Sequence, residues 1–127
     1  MNTEAFITAY NESRNGADFF VRHALVRTFA FSNGVQECAD AGCHWLIDIA
    51  ATEIPAVMRK EGENLVTFAA RVSDGEAGLT LLGSGDRRLR WTRHIDMTDM
   101  PEGEWNFLIA DEGEGPTPFR MILVTEY

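Results

Sequence analysis

The chain has 127 residues, 20 acidic side chains against 11 Lys and Arg, a formal charge of -9 and 45% apolar content. This is the composition of one soluble globular domain spanning 1–127, and it argues against intrinsic disorder. No run of about 18 apolar residues is present to span a membrane, and the net negative field disfavours direct binding of nucleic acid or an anionic membrane.

Residues 3–13 read as a short helix with an apolar stripe of Phe6, Ile7 and Tyr10, ended by Gly16 as a C-cap. Phe19 to Phe31 is rich in aromatic and aliphatic residues and reads as a strand or a buried connector. Ser32-Asn33-Gly34 is a turn in which Ser32 or Asn33 can cap the next helix. That helix covers 34–42, with Gly42 as a break. His44 to Glu53 places Trp45, Leu46, Ile49 and Ala50 on one helical face, and Pro55 is expected to close this helix.

The period then changes from helical to alternating. Val66 to Val72, Leu79 to Leu82, Leu89 to Ile95, Trp105 to Ile109 and Phe119 to Leu123 read as five strands separated by polar turns. Five strands in a row predict an antiparallel meander. The fold class is therefore α+β, with N-terminal helices packed on one face of a C-terminal antiparallel sheet.

Chemistry-bearing residues are sparse. Cys38 and Cys43, five apart in a helical stretch, read as packing thiols on different faces. With His44 and either His23 or His94 they offer metal ligands, but no CxxC or HxxxH spacing supports a site, so no metal and no cofactor is expected. No P-loop, GxGxxG or GxSxG element is present. His23, His44, Asp48 and Arg22 are the acid–base and anion-binding candidates, and Asp48 inside an apolar helix is the most unusual of them. The plain alternative is that Asp48 pairs with Arg22 or His23 structurally.

Charge is segregated. Splitting at residue 60 gives seven acids against five bases, or -2, then thirteen against six, or -7. Arg87, Arg88, Arg90, Arg93 and His94 crowd one segment around Trp91, a composition found at binding hot spots as well as on solvated sheet faces. On a strand, Arg88, Arg90, Thr92 and His94 share a face. Asp96, Asp99, Glu102, Glu104, Asp111, Glu112 and Glu114 follow with no intervening base. They read as solvating loop acids or as an acidic surface that meets a basic partner.

Four segments carry a resemblance. Phe20-Val21-Arg22-His23, Phe31-Ser32-Asn33-Gly34-Val35 with Ala39-Asp40, and His44-Trp45-Leu46-Ile47-Asp48-Ile49-Ala50 are similar in order and spacing to a bacterial and phage family without an assigned activity. So is the far end, from Ile95 through Thr98-Asp99-Met100-Pro101 to the closing Thr125-Glu126-Tyr127. The resemblance spans about residues 19–127. It departs at His44, where Tyr is usual, and at Cys43, where a small residue is usual. It implies one small α+β domain of the kind encoded on prophages and mobile elements. Arg22, His23, Trp45 and Asp48 match the family pattern, as a shared site or a shared core.

Three functions follow as expectations. The first is a small acidic, cytoplasmic interaction protein of phage or mobile-element origin. It would block a basic nucleic-acid-binding surface of a host protein or nucleoprotein complex, as an anti-CRISPR-type inhibitor does. Its contact residues would be the acids of 96–114 with Arg88, Arg90 and Trp91. The second is a small enzyme or ligand-binding domain built on Arg22, His23, His44 and Asp48, a reading ranked below a non-enzyme. The third is a self-associating structural protein, forming a homodimer through Trp91 or Trp105 on an edge strand.

Overall fold

The computed structural model describes residues 1–12 and 20–127. Three helices, α1 (Thr3–Glu12), α2 (Asn33–Cys38) and α3 (His44–Glu61), accompany seven strands among the described residues. The strands are β1 (Phe20–Arg22), β2 (Phe29–Ser32), β3 (Leu65–Ser73), β4 (Glu76–Gly83), β5 (Leu89–Ile95), β6 (Gly103–Asp111) and β7 (Phe119–Leu123). They form one sheet in the order β1-β2-β7-β6-β3-β4-β5. The fold is α+β, with the expected five strands present and two more added.

Two expectations about the sheet are corrected. The aromatic stretch 19–31 supplies β1 and β2, and β2 runs parallel to β7, so the sheet is mixed. The five C-terminal strands are not a simple meander either. β3, β4 and β5 pair in succession, but β6 pairs with β3 on its other side. Burial explains this placement. Phe107 and Ile109 are almost wholly buried, which a position beside central β3 provides and the β5 edge does not.

Alternation sets the two sheet faces. Val66, Phe68, Ala70 and Val72 of β3, Leu79 and Leu81 of β4, Phe119, Met121 and Leu123 of β7, and Phe29 and Phe31 of β2 point to the helix side and are buried. The opposite face has no helix over it among the described residues, and it presents Leu65, Thr67, Arg71, Leu82, Leu108 and Ile122. Helix α1 packs through Phe6 and Tyr10, whose rings meet Trp105 edge-on at 5.0 Å each. Trp105 therefore lies under α1 on interior strand β6, not on an edge, and its Nε1 donates to the Pro101 carbonyl at 2.8 Å. Trp91 is on edge strand β5, but its half-buried ring leans on Phe68 at 6.0 Å.

Pro55 does not end α3. The helix runs six residues further, to Glu61. An interior proline costs about 3 kcal/mol. Continuing past it keeps Met58 fully buried alongside Ile54, and such side chains contribute roughly 1.5–3 kcal/mol each. The predicted helix over 34–42 is α2 followed by a π-helical turn, Ala39–Cys43. Gly42 breaks it as expected, with φ of 129° and the Met1 backbone only 2.9 Å from where a Cβ would stand. The Gly16 cap lies outside the described residues.

Ser32 is the N-cap of α2, its Oγ accepting from Val35 N at 3.2 Å. The same hydroxyl donates to the Glu126 carboxylate at 2.5 Å. Replacing Ser32 by Ala removes the cap and a partner of a buried carboxylate, a loss of about 2–3 kcal/mol. Asn33→Ala is expected to cost under about 0.5 kcal/mol. Urea unfolding of both variants checks this, and equal midpoints would refute the assignment of the cap.

Candidate functional site

His23 follows β1 directly and turns toward the helices, only 6% exposed. Its Nδ1 accepts backbone N–H groups from Leu25 at 3.2 Å and Val26 at 3.0 Å. Those donors require a lone pair on Nδ1, so the proton sits on Nε2 and is donated to Asp48 Oδ1 at 2.8 Å. Both ring nitrogens are thus committed, one to the turn after β1 and one to α3. Asp48 itself is 63% exposed.

The other two candidates sit differently. His44 pairs with Asp40 at 3.1 Å, one helical turn back, not with Asp48. Arg22 registers with Ala30 on the sheet face away from the helices, because strand alternation carries it opposite to His23. His23, His44 and Asp48 line a cleft of about 210 Å³ with Leu25, Phe31 and Ile47, and Arg22 does not join them. The cleft is smaller than the roughly 300 Å³ at which ligand sites begin.

The acidic run is divided by β6. Asp96, Asp99, Glu102 and Glu104 gather near its start, and Asp111, Glu112 and Glu114 near its end. Nine strand residues span roughly 27 Å, well beyond a screening length of about 8 Å at physiological salt. They do not form one continuous surface. Several are also engaged: Glu104 with Arg71 at 2.8 Å, Glu102 with the Asp74 N–H at 3.2 Å, and Glu112 with Arg120 at 3.7 Å. Asp99 pairs with the Met1 amino group, which holds its carboxyl below the usual range.

The arginine segment is similarly spent. The register with β4 shifts here, Leu81 pairing with Trp91 and Leu82 with Leu89, so Arg90 is skipped and the expected common face of Arg88, Arg90, Thr92 and His94 is broken. Arg90 bonds Glu63 at 2.9 Å and Asp86 at 3.0 Å. The Arg88 N–H, then Arg90, pull the Asp86 carboxyl below its ordinary range. Arg93 pairs with Glu53 of α3.

Two arrangements were not visible in the sequence. The first is a groove of about 640 Å³ between α1 and α2, lined by Glu4, Glu12, Glu37, Asp40 and Glu126 with no cationic side chain among the described lining residues. Glu4, Thr8 and Glu12 stand at helical spacing, which was a legible signal for one wall. The second is Glu76, His94 and Asp96, whose ligand atoms lie within 4.8 Å of one another. Only the register of β4 with β5 brings these together.

Cys38 and Cys43 are buried free thiols, and Cys43 Sγ donates to the Cys38 carbonyl at 3.3 Å. Burial first, then neighbouring acidic groups, push both thiols from an ordinary 9.0 up to about 12.

Residues 9–127 match a family of unknown function (DUF6876). The chain belongs to this family. No curated protein and no solved structure matches it. In this DUF6876 chain the segments noted in the sequence meet in pairs. His23 bonds Asp48, Ser32 bonds Glu126, and Trp45 lines one cleft of about 570 Å³ with Thr98 and Asp99. The two hydrogen-bonded pairs each tie distant elements together.

His23→Ala is expected to cost about 2–3 kcal/mol, since two backbone donors lose their acceptor. Asp48→Ala is expected to cost under about 1 kcal/mol, because water can replace an exposed partner. Chemical denaturation of the two variants distinguishes this order from its reverse. Neither thiol should react with a disulfide reagent at about pH 8 until the chain unfolds. The unfolded chain releases these protons near 9.0 while the folded chain holds them to about 12, so stability falls as pH rises through that window. Thermal melts from about pH 8 to pH 11, compared with a Cys38→Ala/Cys43→Ala variant, read that loss.

Proposed function

We propose that this protein is an interaction module that binds a Lys/Arg-lined surface of a partner through the acidic groove between α1 and α2. The observation that carries this reading is the groove itself, a cleft of about 640 Å³ flanked by the exposed carboxylates of Glu4, Glu12 and Glu37 in a chain with net charge -9. Such a surface accelerates encounter with a basic partner and repels phosphate. Carboxylates set along a groove take the positions that backbone phosphates take on a nucleic-acid-binding protein. The partner class is therefore a nucleic-acid-binding protein or complex of the host cytoplasm, and the action is competitive occupation. In a phage or mobile-element setting this is an anti-defence inhibitor of the anti-CRISPR type.

This reading moves the contact surface from the 96–114 run to Glu4, Glu12 and Glu37. The run is split and partly paired, whereas Glu4, Glu12 and Glu37 share one opening, in which Asp40 is held by His44 and Glu126 by Ser32. The geometry of His23 supports a binding role over proton transfer, because neither ring nitrogen is left for a substrate.

The test is parallel affinity capture from host extract with the wild type and a Glu4→Gln/Glu12→Gln/Glu37→Gln variant. The wild type is expected to retain a nucleic-acid-binding protein that the variant releases. Affinity for that protein should fall by at least about tenfold between about 50 and 300 mM salt. Capture that the variant does not weaken, or that salt leaves unchanged, rejects the groove as the contact.

A further inference from the structure

The pairing of β4 with β5 sets Ala77 opposite Ile95 and Gly78 opposite His94. Glu76 and Asp96 flank the last pair of this ladder, Asp96 in the bend after β5. Like charges brought this close repel each other. His94 lies beside both: its Nε2 is 3.0 Å from Glu76 Oε1 and 3.3 Å from Asp96 Oδ1. The Nε2 hydrogen-bonds the Glu76 carboxylate, and Asp96 stands beside it as a second carboxylate. The three ligand atoms lie within 4.8 Å of one another, a grouping that a small cation can bridge.

We infer that Glu76, His94 and Asp96 form a binding site for a first-row transition-metal dication of the Zn2+ class. The spacing fits. Zn–N and Zn–O bonds of about 2.0–2.2 Å at tetrahedral angles place ligand atoms about 3.3–3.5 Å apart. Of the two distances from His94 Nε2, the 3.3 Å to Asp96 meets the lower end of that range, and the 3.0 Å to Glu76 falls short of it by an amount that a rotation of the exposed Glu76 side chain supplies. The donor set also selects the ion. An imidazole nitrogen with two carboxylates suits Zn2+ and its neighbours, whereas Ca2+ takes six to eight oxygens and Mg2+ keeps its waters.

The surroundings leave the site in need of positive charge. Arg71 is the cation nearest in the register, opposite Gly78, and it is paired with Glu104 at 2.8 Å. Arg93 precedes His94 but faces the helices and pairs with Glu53. The site is also open. Gly78 carries no side chain across from His94, and nothing lies within 4 Å of where its Cβ would stand. Three protein ligands and an open side give a metal with a coordination position left for water or for a donor atom of a bound molecule.

The test uses tag-free full-length protein, stripped of metal and titrated with Zn2+ by calorimetry and with Co2+ by visible absorption. One ion per chain is expected, with Co2+ bands of a low-coordinate site. His94→Ala and Glu76→Gln/Asp96→Asn should each weaken binding tenfold or more, and His44→Ala should leave it unchanged. All of these side chains are exposed, so the variants are expected to keep the wild-type circular dichroism spectrum. Excess Mg2+ or Ca2+ should not displace the ion. Absence of saturable binding overturns the site, as does equal affinity in His94→Ala or loss of binding in His44→Ala.

Discussion

Burying the Glu126 carboxylate removes it from water, and the fold must supply the hydrogen bonds that water gave. It does so with the Ser32 hydroxyl at 2.5 Å and the Leu123 N–H at 2.9 Å. Ser32 in turn holds the first turn of α2. The carboxylate lies so close to Gly34 that a Cβ there would stand 2.8 Å from an oxygen. One acid therefore fixes the end of β7, the start of α2 and the identity of residue 34. The position of α2 sets the groove against α1, and the π turn that follows sets the start of α3. His23 repeats the device on a smaller scale by clamping the turn after β1 to the same helix.

What the sequence disclosed and what it withheld follow from the range of the forces involved. Val66 to Val72 and Leu79 to Leu82 declared themselves as strands because their alternation is local. Ser32 and Asn33 were legible as the two candidate caps for the same reason, and the structure chooses Ser32. The parallel pairing of β2 with β7 carries no local signature, since Phe29 to Phe31 reads equally as a buried connector. Pro55 misled because a local penalty was outweighed by burial of Met58, a tertiary effect. The site residues divide likewise. The four-residue step between His44 and Asp48 is one that a helix can close, but His44 found its carboxylate on the preceding turn at Asp40. The acids of 96–114 are adjacent in sequence yet separated by the length of β6. Glu37 and Glu126, far apart in sequence, line one groove.

The arginines explain why an acidic chain does not simply repel itself apart. Arg71, Arg90, Arg93 and Arg120 each meet a carboxylate on another element. On exposed surfaces each such pair contributes little to stability. Their larger effect is on the distribution of charge, because they neutralise acids over the sheet and leave the surplus at the helical end and along the sheet margin. Edge strand β5 benefits as well. Its bulge and its charged residues make it a poor template for another strand, so the sheet ends there.

The parallel contact between β2 and β7 also has a bearing on biosynthesis. Phe29 pairs with Phe119, ninety positions later in the chain. At about 5–20 residues per second, ribosomal synthesis leaves β2 without this neighbour for roughly 5–18 seconds. Throughout that interval Phe29 and Phe31 lack the strand that buries them, and α2 lacks the acid that anchors its cap. Until β7 is made, β2 therefore presents its aromatic side chains without the parallel neighbour that completes their cover.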